Sequence, residues 1–455
     1  MAMFKNDSYR PEAYQHLEHP VPEWFAAAKL GIFVHWGAYS VPAWAEPLGE
    51  LGSEEDPGDF ARNPYAEWYA NTIRIPGSPA AEHHAATYGD ADYYDFLDQW
   101  KAESFDADAL AELVRSTGAR YFVPTSKHHD GITLWDAPRS EGLNTVDRGP
   151  HRNLVAEMAE AMEKVGVRFG AYYSGGLDWH FTGLPALTEK PAEVGADFPG
   201  RPNDKAYADY AYEQTLDLIE RYKPAVLWGD IDWPDAGKEP GPTSLLALFD
   251  RYYEVVPDGV VNDRWGDTHW DFRTSEYQES PELGGEVFEN CRGIGYSFGH
   301  NTQETAAHTL DGGGAVRHFV DIVAQGGNLL LNIGLTADGS VPPLQRQTLE
   351  ALGAWNARNG AAVFGTSVAG PELVDPAGAA EGWVRFTRGD GVLNVVLGEP
   401  GEVVVPVVAG AVDPAGAAVL GGGDVTAEVV DDGLLLRVTG VGEDGLPVVV
   451  TLPLT

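Results

Sequence analysis

Residues 226–235 read VLWGDIDWPD. An apolar run, Val226-Leu227-Trp228, passes straight into Asp230, Asp232 and Asp235, interleaved with Trp233 and Pro234. A run of this kind builds a buried strand, and carboxylates at its end are costly unless they are paired or employed. Strand alternation puts Val226, Trp228 and Asp230 on one face and Leu227, Gly229 and Ile231 on the other. With Trp228 turned inward, Asp230 is the last inward residue. Trp233-Pro234 ends the strand before Asp232 can share that direction. Asp230 is thus expected to act, Asp232 to order the following loop, and Asp235 to be a solvated or capping acid.

The same pattern of short apolar strands followed by polar ends recurs outward from this segment. Strands are predicted at 30–36, 119–129, 167–174, 225–232, 259–265, 273–277 and 328–334. Between them, apolar residues at three- and four-residue spacing predict helices at 107–118, 153–166, 207–222, 244–256 and 343–360. Seven such units imply an α/β fold, an imperfect (β/α) TIM-like barrel, with a doubly wound open sheet as the other topology this alternation permits. Beyond 360 the chain turns to Val, Gly and Pro, with runs such as EVVVPVV and LPVVVTLPL set between Gly and Asp turns. A catalytic barrel domain over 1–360 and an all-β sandwich domain over 361–455 are expected.

Composition narrows the function. Of 455 residues, 69 are Asp or Glu and 30 are Lys or Arg, and the resulting net charge of −39 repels nucleic-acid phosphates and anionic membranes. A neutral or cationic small ligand suits this surface better. The single cysteine, Cys291, excludes an internal disulfide and a cysteine-based zinc site. No segment has the length and apolarity of a signal peptide or membrane span, so a cytoplasmic protein is expected, with an oligomer possible.

In a parallel barrel the functional groups collect at the C-terminal ends of the strands. The unusual polar residues of this chain fall there: His35, the KHHD segment with His128 and His129, Tyr172-Tyr173, Asp230 and Asp232, Arg264, and Glu276. Two carboxylates facing each other across a barrel mouth are what glycoside cleavage requires, one ionised and one protonated. Acids also end strands in purely structural ion pairs. Trp36, Trp44, Trp68, Trp179, Trp228, Trp233, Trp265 and Trp270 cluster in sequence near the same ends and suit the apolar faces of a sugar.

A metal is the competing use for His35, His128, His129 and Asp230, as in metal-dependent barrel hydrolases. Adjacent residues on a strand point to opposite faces, so His128 and His129 are expected not to share an ion. Neutral imidazoles hydrogen-bonded to sugar hydroxyls are the preferred reading. No metal and no cofactor are expected.

The segments WFAAAKLGIFVHWGAYSVPAW, YAEWY, TSKHHDGITLWDA, GVRFGAYYSGGLDW, VLWGDIDWPDAGK and GGNLLLNIG resemble, in order and spacing, the signature segments of the α-L-fucosidases of glycoside hydrolase family 29. The resemblance runs from about residue 22 to 365. It implies a retaining exo-acting hydrolase of fucosylated glycosides and oligosaccharides on an imperfect barrel followed by a β-sandwich, without a cofactor. It places the nucleophile at Asp230, although Ile231 stands where the family usually has glycine. It places the acid/base at Glu276, with Glu289 of the FENC segment as the alternative. Substrate-binding roles fall on His35, Glu67, Trp68, His128, His129, Tyr172, Arg264 and Phe298, with Trp68 and Phe298 near the C5 methyl of fucose. Two other functions remain open: a metal-dependent hydrolase using the histidines, and a non-catalytic sugar-binding protein. The leaving-group side is expected to be shaped by loops 45–65 and 180–205.

Overall fold

The computed structural model describes residues 10–50, 53, 59–188, 201–277, 287–441 and 445–455. Parts of the two loops expected to shape the leaving-group side, 51–52, 54–58 and 189–200, lie outside the described residues.

Eight strands build the central sheet: β1 (Leu30–His35), β2 (Tyr121–Lys127), β3 (Arg168–Ser174), β4 (Val226–Asp230), β5 (Val260–Val261), β6 (Arg273–Glu276), β7 (Phe288–Gly293) and β8 (Asn328–Gly334). Their order is β5-β4-β3-β2-β1-β8-β7-β6, and every neighbouring pair is parallel. This is the strand order of a (β/α) barrel, curled so that β1 meets β8, with the ladder interrupted between β5 and β6. The barrel expectation is borne out. One strand, β7, was missing from it: Phe288-Glu289-Asn290-Cys291-Arg292-Gly293 lacks an apolar run, because its polar side chains are paired inside the barrel.

Strand alternation divides the apolar residues into two layers. Phe33, Val123, Tyr172, Val226, Trp228, Val260, Cys291 and Leu330 fill the barrel. Ile32, Phe122, Ala171, Leu227, Val261 and Leu329 face outward onto the helices, against Leu110, Met158, Leu248 and Phe319. The helices themselves begin at side-chain caps: Asp106, Asn153, Asp204, Ser244 and Asp311 each accept a backbone N–H of the first turn. The helix at Gly312–Ala324 escaped the sequence reading, since three glycines occupy its first turn.

One backbone bond and several side-chain bonds bridge the interrupted joint. The amide of Asp271 donates to Val261 O at 2.9 Å, and its carboxylate accepts Val261 N–H at 2.7 Å. Asp263 accepts both the amide and the hydroxyl of Thr274.

Beyond the helix Pro343–Asn359, the chain forms strands β9 (Ser367–Val368), β10 (Val384–Gly389), β11 (Val392–Leu397), β12 (Glu402–Val405), β13 (Ala418–Val419), β14 (Asp424–Val430), β15 (Gly433–Thr439) and β16 (Val448–Pro453). Among the described residues these make two antiparallel sheets, β13-β16-β11-β10-β9 and β12-β15-β14, around a core that includes Leu393, Val395, Leu436 and Val450. The unit is tied to the barrel by Trp355 Nε1 donating to Pro447 O and Trp383 Nε1 donating to Asp321. Val396 and Val449 extend the barrel's outer apolar layer across the junction.

Candidate active site

β4 ends at Asp230, as alternation predicted, and the two residues after it both adopt left-handed backbone, Ile231 at φ 57° and Asp232 at φ 76°. For a β-branched residue that conformation costs roughly 1–2 kcal/mol. It turns Asp232 away from the barrel axis, where it meets Arg201 at 3.0 Å and Lys238 at 2.9 Å and accepts the amide of Trp233. Asp232 orders the loop as expected. Asp235 is more than a solvated acid: it shares both cations with Asp232, at 2.9 Å from Arg201 and 2.7 Å from Lys238.

Arg264 organises the mouth of the barrel. Its Nη1 contacts Asp230 Oδ1 at 3.1 Å and its Nη2 contacts Glu276 Oε2 at 2.9 Å, so one guanidinium holds both carboxylates. Thr274 fixes its Nε at 3.1 Å, and the group lies 4.6 Å over the Trp228 ring. A buried guanidinium forked in this way sets the two acids in a fixed relation and offsets part of their mutual repulsion.

The second oxygen of Asp230 accepts the Tyr172 hydroxyl at 2.8 Å and lies 3.8 Å from His129 Nε2. Tyr172 is stacked between His128 and Trp228. His129 Nδ1 pairs with Ser174 Oγ at 2.7 Å, and His35 Nδ1 with Asn332 Oδ1 at 2.7 Å. Burial pushes the His35 imidazole down to about 4, against its bond to Asn332, and the His129 imidazole down to about 3, against Asp230. Both rings are therefore neutral near pH 7 and offer one donor and one acceptor each. The expectation that His128 and His129 diverge is wrong. Their centroids stand 4.0 Å apart, because β2 stops at Lys127 after a register shift and alternation no longer governs the next two residues. Nevertheless, these histidines and Asp230 do not converge as ligands. Among the described residues, the group whose potential ligand atoms lie within 4.8 Å of one another is His19, His269 and Asp271.

Glu67 and Trp68 lie on the short helix Ala66–Trp68 and are both buried. Glu67 accepts Gly299 N–H at 2.8 Å and Ser297 O–H at 3.0 Å; burial raises its carboxyl to about 7 against those bonds. Trp68 stacks on Phe60 and meets His129 and Trp179 edge-on. Phe298 sits 5.0 Å from His35 on the facing side. The tryptophan inventory needs correction, since the sequence suggested eight near the strand ends. Trp36, Trp233 and Trp265 pack in the outer layer, Trp44 stacks on His83, and Trp270 lies under Arg10 beside the entry to β6. Trp68, Trp179 and Trp228 are the ones grouped around Asp230 and His129.

Glu276 ends β6, whereas Glu289 is the second residue of β7, in register with Thr274 and so two residues deeper in the barrel than Glu276. Glu289 is fully buried, accepting the Tyr121 hydroxyl and Trp228 Nε1, and burial raises its carboxyl to about 7. It supports the floor beneath Trp228.

Sequence reasoning missed the residues that hold the site groups in place. Asn332 and Ser174 lie in segments already singled out, GGNLLLNIG and GVRFGAYYSGGLDW, and an inward strand-end position was their available signal. The buried Lys127–Asp178 pair, 2.8 Å, beneath the two histidines, carried none beyond adjacency.

Glu304 is a further, half-buried acid behind this wall. It accepts the Ser297 amide at 2.7 Å, and burial raises its carboxyl from 4.5 to about 8. A raised carboxyl contributes stability that is whole below its unfolded value and is lost as pH climbs through its folded value. Glu304→Gln keeps the acceptor and cannot ionise. Its Tm relative to wild type should rise across pH 4.5 to about 8, by about 3 °C in total, in calorimetry. A pH-independent difference would refute this account.

A parallel barrel whose mouth sets two carboxylates on one guanidinium, beside neutral imidazoles and indoles, defines a carbohydrate-cleaving hydrolase. The Alpha-L-fucosidase family model matches residues 1–361, and the chain belongs to that family of glycoside hydrolases. It is 32% identical to the α-L-fucosidase of Dictyostelium discoideum over 80% of this chain and 76% of that protein. The Homo sapiens tissue α-L-fucosidase is 31% identical over 78% of this chain and 72% of its own length. A crystal structure of Thermotoga maritima α-fucosidase in complex with a mechanism-based inhibitor superposes with a TM-score of 0.82 at 40% identity, covering 98% of this chain and 100% of that one. The resemblance drawn from the motif segments and the fold it implied are both borne out. No helix among the described residues is long and apolar enough to cross a membrane.

Proposed function

We propose that this α-L-fucosidase releases terminal α-L-fucose with retention of configuration, through a covalent fucosyl-enzyme formed on Asp230. The carrying observation is the shared grip of Arg264 on Asp230 and Glu276 at the barrel mouth. Asp230 attacks the anomeric carbon while Glu276 protonates the departing oxygen; Glu276 then draws a proton from water as water displaces Asp230. A retaining pair needs carboxyls about 5–5.5 Å apart, a spacing that suits two acids gripped by neighbouring nitrogens of one guanidinium. Glu276 is preferred over Glu289 because Glu289 is sealed on the barrel floor.

His35, His128, His129, Tyr172 and Glu67 offer the donors and acceptors for the ring hydroxyls. Trp68 and Phe298 supply apolar walls for the C5 methyl. The Thermotoga maritima enzyme, crystallised with fucose and with a mechanism-based inhibitor, supports fucose as the glycone here. Residues 1–360 are taken as the catalytic unit, with 361–455 as its β-sandwich companion. The test is the anomer released first from an aryl α-L-fucoside, followed by NMR. Retention gives α-L-fucose before mutarotation, and initial β-L-fucose would overturn the mechanism.

A further inference from the structure

At the end of the barrel away from Asp230, three elements converge beside the interrupted β5–β6 joint. His19 precedes β1, Tyr253 lies on the helix Leu245–Val255, and His269 and Asp271 lie on the approach to β6. His19 Nε2 and His269 Nε2 both stand 3.6 Å from the same atom, Asp271 Oδ1. His19 Nδ1 is 2.8 Å from Leu17 O, so Nδ1 carries the proton and Nε2 presents a lone pair. That Nε2 is buried and has no hydrogen-bond partner among the described residues. His269 Nδ1 is likewise buried and unpartnered. A separation of 3.6 Å is too long for a hydrogen bond.

We propose that His19, His269 and Asp271 bind one transition-metal ion of the zinc class, which staples the β5–β6 joint. An ion about 2.0–2.2 Å from two atoms 3.6 Å apart subtends about 110–130° between them, within reach of a tetrahedral site. Two imidazoles and one carboxylate favour zinc-like ions over calcium or magnesium, which take oxygen ligands.

The outer contacts are those of a ligand set already oriented. Leu17 O holds the His19 ring, while Asp271 Oδ2 accepts the Tyr253 hydroxyl at 2.8 Å and Val261 N–H at 2.7 Å, leaving Oδ1 turned to the histidines. His269 Nε2 shares a hydrogen bond with the Tyr253 hydroxyl at 2.8 Å. Metal binding requires the proton on that nitrogen to move to Nδ1, so that Nε2 offers its lone pair to the ion while the hydroxyl keeps its bond to Asp271. Arg10, the neighbouring cation, is engaged over the Trp270 ring at 4.1 Å and with Glu18 at 3.3 Å. The role is structural: Asp271 precedes β6 and Glu276 ends it, about 15 Å further along an extended chain.

The test uses the full chain, stripped with a chelator and dialysed against zinc chloride, in wild type and His19→Gln. Elemental analysis should find one zinc per chain more in wild type than in the variant. Zinc should raise the wild-type Tm by about 4 °C and leave the variant unmoved, with fucoside turnover unchanged in both. Cobalt(II) should give wild type alone the visible absorption of a four-coordinate ion. Equal zinc content in the two proteins, a zinc-insensitive wild-type Tm, or a missing cobalt spectrum would each overturn the site.

Discussion

Asp230→Gly is expected to lower turnover of an aryl α-L-fucoside by about 10⁴-fold or more while the protein stays folded. Asp230 sits at a strand end where Tyr172 and Arg264 already hold its two oxygens, so removing it deletes the attacking atom without opening the apolar interior. The variant leaves a gap beneath the anomeric carbon that a small anion can enter. Azide should restore part of the rate, and because it takes the place of Asp230 it should yield β-L-fucosyl azide. Wild-type turnover in the variant, or an α-azide product, would remove Asp230 from the nucleophile's role.

Glu276→Gln should cost about 10²–10⁴-fold, and its size should depend on the leaving group. Substrates whose aglycone departs without protonation should react nearly as fast as in wild type up to the fucosyl-enzyme, whereas poor leaving groups should be cleaved slowly. Azide should now attack the covalent intermediate and give the α-azide, the opposite anomer to that from Asp230→Gly. Glu289→Gln is the paired control. It alters the bonds to Tyr121 and Trp228 on the barrel floor, so its effect on rate should stay within about tenfold and show no leaving-group dependence. The reverse pattern in the two variants would transfer the acid/base role to Glu289.

Much of this arrangement was legible in the sequence. Alternation in Val226–Asp230 set the inward face correctly, because a two-residue period needs only local information. The five helices that were predicted lie within about two residues of their observed bounds at each end, as amphipathic periodicity allows. The failures share a cause. β7 was hidden because its side chains are polar and paired inside the barrel. His128 and His129 were misdirected because a register shift ended the strand earlier than the pattern suggested. Most of the tryptophans near the strand ends pack against other side chains and not against the site groups. The partners of the site groups, Asn332, Ser174, Ser297 and Gly299, come from three other chain segments, and no local period encodes such meetings.

The interrupted ladder between β5 and β6 also bears on how the enzyme fails. Arg264 follows β5 and Glu276 ends β6, so the ion pair between them spans the one joint of the sheet that lacks a backbone ladder among the described residues. Local opening draws on the least-bonded parts of a fold. Amides flanking this joint should exchange with solvent first, and heat should abolish activity before the helical signal declines. The weakest hinge of the barrel is also the place where its two acids are joined.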